Sequence, residues 1–159
     1  MLIRPVMPPK DSPTSGLMAE DPATLDLVDL TRRFAETASC GDLDELVGFF
    51  ARDGVWDMSP AGMGTFEGRG AIRGLLEDWF AGYAKYEIKV HEIVNLGNGV
   101  VFAITRQNGL LADSTSGGVL REVWAYPFLW IDGMLARLTT YADVDEGRAV
   151  AERLAEERG

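Results

Sequence analysis

The sequence predicts an α+β fold, in which helices from the first half of the chain pack on one face of a curved antiparallel or mixed sheet. Between residues 21 and 83, apolar side chains recur three or four residues apart, the period of a helix. From Tyr86 onward the period changes to two, which is the period of a strand. The pair Asp132–Gly133, between two apolar runs, is a strong signal for a two-residue hairpin turn.

The length of 159 residues suits a single domain with a sizeable core, which we assign to residues 21–159. Residues 1–20 contain four prolines and no periodic apolar face, so we expect a flexible N-terminal tail. The net charge of −10 disfavours nucleic acid and anionic membranes as partners. No apolar run approaches the roughly 20 residues that span a membrane, and no signal peptide is apparent, so we expect a cytoplasmic protein.

Three helices are predicted before the long strands. The first begins at Asp21–Pro22, an N-cap followed by a proline, and ends at Gly41. The second begins with the capping box of Asp42 and Glu45. A short strand at residues 55–59 and a glycine-rich loop then lead to a third helix with a broad apolar stripe, formed by Ile72, Leu75, Leu76, Trp79, Phe80 and Tyr83.

Four long strands in antiparallel hairpins follow, and Asp145 caps a final helix. The strand at residues 119–131 is apolar on both faces and therefore must be covered on both. One face carries Glu122, Trp124, Tyr126, Phe128 and Trp130, and the other carries Val123, Ala125, Pro127, Leu129 and Ile131. We expect the helices to cover only the concave, aromatic face. A second copy of the chain is the simplest cover for the outer face, so a homodimer is predicted.

The run FFARDGVWDMSPAG…FEGRGAIRGLLEDWF and the hairpin around WIDGMLARLTTYAD resemble the SnoaL-like branch of the NTF2-like superfamily. The resemblance covers roughly residues 25–154. It implies a cone, in which the sheet wraps around three N-terminal helices and a further helix ends the chain. It also implies a small, mostly apolar ligand inside the cone. Members of the superfamily include ketosteroid isomerases, polyketide cyclases, epoxide hydrolases and proteins with no catalytic role.

The layout is most similar to that of the limonene-type epoxide hydrolases, but most of their site residues are not kept. Their arginine matches Arg106, whereas the four other site positions fall on Trp56, Met58, Asn108 and Thr140. The general-base aspartate of the ketosteroid isomerases falls on Met58, or on Asp57 if the strand is shifted by one residue. The resemblance therefore implies the cone more firmly than any one reaction.

From the residues we predict an acid–arginine–acid cluster inside the cone. Arg106 and Asn108 share one face of their strand. If that face and the aromatic face of residues 119–131 both line the cone, Arg106 can pair with Glu122. The arginine would keep one carboxylate ionised, and crowding would raise the pKa of the other enough to make it a proton donor. The alternative is a salt bridge near the cone mouth without a catalytic role.

The second acid of this cluster depends on the register of the last hairpin. An ideal turn sets Asp143 opposite Glu122 and turns Tyr141 inward. A proline within a strand often marks a bulge or an edge. A bulge near Pro127 would turn Thr140 inward instead.

Two functions follow as hypotheses. The first is an acid/base enzyme, such as an isomerase, cyclase or epoxide hydrolase, with Glu122 as acid or base, Arg106 orienting it, and Asn108 and Tyr126 binding a substrate oxygen. The second is a non-catalytic protein that binds a small hydrophobic ligand. In either case the predicted ligand contacts are Trp56, Met58, Trp79, Tyr83, Trp124, Phe128, Thr140 and Tyr141. No cofactor or metal is expected, because the only histidine, His91, lies on the polar side of its strand.

Overall fold

The computed structural model describes residues 26–112 and 118–159. Within these ranges the helices are α1 (Leu27–Cys40), α2 (Leu43–Phe49), α3 (Arg69–Ala81) and α4 (Val144–Arg158). The strands are β1 (Phe50–Asp57), β2 (Thr65–Glu67), β3 (Tyr83–Gly97), β4 (Val100–Leu111), β5 (Val119–Ile131) and β6 (Met134–Thr139). The predicted tail at residues 1–20 and the predicted helix start at Asp21–Pro22 lie outside the described residues.

The strands form one mixed sheet in the order β2-β1-β6-β5-β4-β3. Strand β1 runs parallel to β6, and every other neighbouring pair is antiparallel. This arrangement confirms the predicted α+β class. No helix in the described part of the chain is long and apolar enough to cross a membrane.

The predicted helix ends are confirmed at Gly41 and Asp42, whereas α4 is capped by Asp143 and not by the predicted Asp145. The side chain of Asp26 caps α1, accepting from the backbone N–H of Asp29, so the helix begins five residues after the predicted Asp21. It ends at Gly41, which has the left-handed backbone (φ 74°) expected of a C-cap. Asp42 caps α2 as predicted, accepting from the N–H of Glu45.

The concave face of the sheet packs against α1, α2 and α3, as the cone requires. Phe34 of α1 makes edge-to-face contacts with Trp56 of β1 and Phe128 of β5, with ring centroids 6.1 and 5.5 Å away. The indole N–H of Trp130 donates to Oγ1 of the buried Thr31, which ties β5 to α1. The aromatic face of β5 is therefore the inner face, as predicted.

The outer face is partly covered by α4, so the prediction that helices cover only the concave face is wrong. Ala151 and Ala155 of α4 are buried against the sheet together with Ala125. Gly147 allows this close packing, because a Cβ at that position would lie 3.0 Å from the Cβ of Ala125. Small residues along one side of α4 let it lie close to the strands.

This helix changes the basis for the predicted homodimer. Ala125 and Leu129 are in the cluster that α4 covers, whereas Val123 and Ile131 remain 36% and 42% exposed. A homodimer through the outer face stays a prediction, and it now depends on these exposed flanks.

The hairpin of β5 and β6 contains a bulge with the register predicted as the alternative, but it lies in β6 opposite Leu129 and Trp130 and not at Pro127. Its turn is ideal, because Ile131 pairs with Met134. One extra residue of β6 then shifts the register, since Trp130 pairs with Leu135 but Leu129 pairs with Arg137. The extra residue is Ala136, and the shift places Tyr141 opposite Ala125 rather than opposite Trp124.

Candidate functional site

A cavity of about 60 Å³ lies inside the cone, between α1, α3 and the concave face of the sheet. Most of its wall is apolar, formed by Phe34, Ala35, Ala38, Trp56, Met58, Leu75, Leu76, Trp79, Phe80, Ile88, Trp124 and Phe128. Its polar groups belong to Tyr86, Thr105, Gln107 and Tyr126. The cavity is small, because roughly 10–15 Å³ holds one water and a cavity of roughly 150 Å³ takes a benzene.

The polar groups form one hydrogen-bonded network centred on Gln107. The hydroxyl of Tyr86 donates to Oε1 of Gln107 at 2.9 Å. Nε2 of Gln107 donates to Oγ1 of Thr105 at 3.3 Å and to the hydroxyl of Tyr126. Gln107 is 3% exposed, so a buried amide is satisfied by three side chains of the cavity wall.

Both tyrosines of the network remain neutral at physiological pH. Burial raises the pKa of the Tyr126 hydroxyl to about 12, although hydrogen bonds with Gln107 and Thr105 lower it in part. Burial also raises the pKa of Tyr86 strongly. The charge of Glu122 adds to the upward shift at Tyr83, Tyr86 and Tyr126. These phenols are therefore suited to hydrogen bonding rather than to acting as bases.

The structure brings six of the predicted site residues to the cavity wall, namely Trp56, Met58, Trp79, Trp124, Tyr126 and Phe128. Tyr83 lies outside the lining and packs on Trp79 and Tyr86, with ring centroids 5.7 and 5.1 Å away. Gly109 makes room for this ring, since a Cβ there would lie 2.7 Å from Cδ1 of Tyr83.

The bulge decides the positions of Thr140 and Tyr141. Thr140 is fully buried, and its Oγ1 accepts a hydrogen bond of 2.9 Å from Nε1 of Trp56, so it supports the wall from behind. Tyr141 packs on the outer side of the sheet against Gly147 of α4, and its predicted role as a ligand contact in the cone is wrong.

The predicted partnership of Arg106 and Glu122 is also wrong. Arg106 is exposed and pairs with Val123, which lies on the outer face of the sheet. Gln107 is the residue opposite Glu122. Asn108, next along β4, is opposite Arg121 and shares the outer face with Arg106. The error was to assign the even positions of β4 to the cone, where its odd positions lie.

Asp143 does not complete an acidic cluster. Its side chain caps α4 by accepting from the backbone N–H of Glu146 at 3.0 Å. Glu122 is exposed and lies opposite the cavity residue Gln107 on the neighbouring strand. The acid–arginine–acid cluster is therefore not formed, although a catalytic role for Glu122 by itself stays a prediction.

Gln107, Thr105 and Tyr86 were missed as site residues, although the sequence contained a signal for them. Asn98 and Gly99 both have positive φ and form a two-residue turn that pairs Gly97 with Val100. Such a turn sets the apolar Tyr86 and Ile88 of β3 across from odd positions of β4. The two register shifts between this turn and Ile88 together leave that relation intact, so Ile88 pairs with Gln107.

No group of three or more His, Cys, Asp or Glu side chains that could hold a metal ion occurs within residues 26–112 and 118–159. The ion pairs near the sheet are structural. Arg137 contacts Asp57 at 2.7 Å, and Arg148 contacts Glu92 at 2.7 Å.

The cone, with its cavity between the helices and the sheet, is that of the NTF2-like fold, and the family that the sequence matches agrees with this fold. Residues 31–138 match the SnoaL-like domain, and the chain belongs to this family. A search of curated proteins found no match.

Solved structures with the same fold differ widely in sequence. A protein of ketosteroid isomerase-like fold from Catenulispora acidiphila, in complex with trimethylamine, has a TM-score of 0.63 and 15% identity, covering 71% of this chain and 84% of its own. A protein from Shewanella putrefaciens, provisionally named a SnoaL-like polyketide cyclase, has a TM-score of 0.64 and 12% identity, covering 79% and 98%. An NTF2-like protein of unknown function from Burkholderia pseudomallei has a TM-score of 0.62 and 17% identity, covering 77% and 95%. At these identities the likeness establishes the fold alone.

Proposed function

We propose that the cone binds a small, uncharged, mostly apolar molecule and does so without acid/base catalysis. The observation that carries this proposal is the composition of the wall. None of the sixteen described residues that line the cavity is Asp, Glu, His, Lys or Arg. A charged ligand would lose its hydration without gaining a counter-charge, which is costly in an apolar site. Binding therefore selects neutral molecules.

The size of the cavity supports a small ligand. At about 60 Å³ it cannot hold a steroid or a polyketide with its present side-chain positions. Trp79, Phe80 and Tyr86 are only half-buried and contact one another near the end of α3, so they are the side chains that a larger ligand would have to displace. The relative from Catenulispora acidiphila was crystallised with trimethylamine, which is also a small molecule.

An acid/base enzyme is the second candidate, and one observation favours it. The charge of Glu122 is near enough to raise the pKa of the buried Tyr126. A carboxylate at the mouth and a neutral phenol inside could together serve as a general base and a hydrogen-bond donor to a carbonyl oxygen. The provisional name of the Shewanella putrefaciens relative belongs to this class of function.

Binding can be tested with acetone, a ketone smaller than benzene, by following the indole N–H signals of the four tryptophans in ¹H–¹⁵N spectra. Trp56, Trp79 and Trp124 line the cavity, whereas Trp130 donates to Thr31 outside it and serves as the internal control. We expect saturable shifts at the three lining indoles, little change at Trp130, and no saturable shift with acetate, a charged analogue of the same size. Absence of saturable shifts with acetone, or equal binding of acetate, would refute the proposed binding function.

Catalysis can be tested on the same ketone by following α-proton exchange in deuterated water. Without acid/base catalysis, the wild-type protein and Glu122→Gln exchange the α-protons at the same rate. A faster rate with the wild type that is lost in Glu122→Gln would instead establish a base at the mouth, and the enzyme would become the correct assignment. Binding measured in parallel on both proteins ensures that the two rates refer to occupied cavities.

A further inference from the structure

We infer that the indole N–H of Trp124 anchors the ligand of the cone by donating a hydrogen bond to an acceptor oxygen. The ligand class is then a small neutral molecule with an acceptor oxygen at one end and hydrocarbon at the other, such as a ketone, an ether or an alcohol. A pure hydrocarbon of the same shape leaves that N–H unpaired. This inference rests on the proposed binding function and names the polar group of its ligand.

The N–H of Trp124 is a buried donor without an acceptor. The side chain lines the cavity and is 6% exposed. Within residues 26–112 and 118–159, no oxygen, nitrogen or sulfur atom accepts a hydrogen bond from its Nε1. Its ring meets that of Trp79 edge to face, with centroids 6.3 Å apart, but an aromatic ring is a much weaker acceptor than an oxygen. Buried polar groups in proteins are nearly all hydrogen-bonded, so the exception at the cavity wall indicates a place for a ligand atom.

The other three tryptophans, which all lie in the described part of the chain, differ from Trp124 in this respect. Nε1 of Trp56 donates to Oγ1 of Thr140 at 2.9 Å, and Nε1 of Trp130 donates to Oγ1 of Thr31 at 3.0 Å. Trp79 lines the cavity but is only half-buried, so it is less shut off from water. Trp124 therefore combines burial at the cavity wall with an unpaired N–H.

The distribution of polar groups around Trp124 gives the ligand an orientation. The other polar residues of the cavity wall that come from the sheet lie on β3, β4 and β5, and they are Tyr86, Thr105, Gln107 and Tyr126. Thr105 is the cross-strand neighbour of Trp124. Apart from Trp79, the helices contribute only apolar side chains to the wall. The ligand oxygen therefore lies against the sheet, and its hydrocarbon part lies against α1 and α3.

The same wall accommodates an alcohol as well as a ketone. An alcohol oxygen accepts from Trp124 as a ketone oxygen does, and the hydroxyl and amide oxygens beside it are able to accept its hydrogen. The selection that we infer is thus between molecules with and without an acceptor, since only the former satisfy the buried N–H.

The test compares acetone with isobutene, which has the same shape but carries a CH₂ group in place of the oxygen. Dissociation constants are measured for wild type, Trp124→Phe and the control Trp56→Phe by the saturable shifts of the Trp79 indole signal. Trp56 lines the same cavity, but its N–H is already paired with Thr140, so the control makes the same substitution without removing a free donor. The Trp130 indole signal reports whether each variant is folded.

We expect Trp124→Phe to weaken acetone binding about fivefold and to change isobutene binding by less than about twofold. Trp56→Phe should change the binding of both compounds by the same factor. In the wild type, saturation with acetone should move the indole proton of Trp124 downfield, as a new hydrogen bond does, whereas isobutene should not. This last measurement needs no variant, so it remains decisive if a variant fails to fold.

Equal weakening of both compounds in Trp124→Phe, or bound acetone without a downfield shift at Trp124, would overturn the inference while the binding function stands. Binding of neither compound by the wild type would remove the binding function and this inference with it.

Discussion

Nε1 of Trp56 donates a hydrogen bond of 2.9 Å to Oγ1 of Thr140, and both residues are buried. The bond joins β1, at the wall of the cavity, to the residue that follows β6. A buried indole N–H that loses its acceptor keeps its desolvation penalty, which is why this pair is sensitive to substitution on the threonine side.

We therefore expect Thr140→Val, which keeps the shape of the side chain, to lower the free energy of unfolding by about 1–3 kcal/mol. Urea denaturation measures this change. Thr37→Val is the matched control, because Thr37 is also buried but its side chain has no hydrogen-bond partner in the described structure, so its loss should be smaller. Equal losses in the two variants would show that the Trp56 bond does not matter for stability.

The packing of α4 on the outer face predicts a second effect. A Cβ at Gly147 would lie 3.0 Å from the Cβ of Ala125 and 3.1 Å from the Cβ of Tyr141, so Gly147→Leu forces α4 away from the sheet. We expect a loss of about 1–3 kcal/mol in the free energy of unfolding. A Cβ at Gly74 in α3 would meet no atom within 4 Å, so Gly74→Leu should instead be neutral or stabilising, because glycine is a poor helix former. Similar destabilisation by both variants would contradict the close packing of α4.

The lowered pKa of Asp57 predicts that the stability of the fold depends on pH in the acid range. Burial by itself raises the pKa of this carboxyl, but hydrogen bonds from Ser59 and Thr65 and the charge of Arg137 outweigh it, and the pKa is lowered. Because the folded pKa is the lower one, the ionised carboxylate stabilises the folded state at pH values above the unfolded pKa of about 3.9. This contribution is lost as the pH falls through the folded pKa. Asp57→Asn should therefore have a lower urea midpoint than wild type at pH 7.

This difference should shrink when the same denaturation is repeated at pH 3, because the wild-type carboxyl is then becoming protonated as well. The exposed Asp53→Asn is the control and should follow the wild type at both pH values. A gap between wild type and Asp57→Asn that is as wide at pH 3 as at pH 7 would mean that the charge of Asp57 is not what stabilises the fold.

The raised pKa of Tyr126 predicts how the stability of the fold changes at alkaline pH. Burial raises the pKa of its hydroxyl to about 12, compared with about 10 in an unfolded chain. Because the folded pKa is raised, the stabilisation is complete below pH 10 and declines as the pH rises towards 12. Tyrosinate absorbance should show a phenol titrating near pH 12 in the folded wild type and not in Tyr126→Phe. Titration of all four tyrosines near pH 10 in the folded protein would exclude the buried, hydrogen-bonded phenol.

The fold could be predicted from the sequence because its signals are local. Helix periodicity, the capping aspartates and the Asp132–Gly133 turn each specify an element without reference to distant residues. The family resemblance then supplied the cone, and the aromatic face of β5 was correctly assigned to its interior. The position of α4 was missed, because a polar helix with a few small residues gives little indication of which face of a sheet it covers.

The site was harder to predict because it depends on strand register. Alternation on β4 is ambiguous, since both Phe102 and Ala103 are buried, one on each face of the sheet. Choosing the wrong face placed Arg106 in the cone and left Gln107 out of it. The charged residues were also favoured as candidates because acid/base chemistry requires them, whereas the polar groups of this cavity are an amide and three hydroxyls.

The extra residue Ala136 has a consequence for how cavities of this type could diverge. If Ala136 paired with Leu129 instead of bulging out, each later residue would move by one position, so Tyr141 would lie opposite Trp124 on the cone side and Thr140 would leave that side. Loss of the bulge, with no residue added or removed, would thus replace a supporting threonine by a phenol. In a sheet of this kind, the presence of a bulge in one strand can change ligand chemistry as effectively as substitutions do.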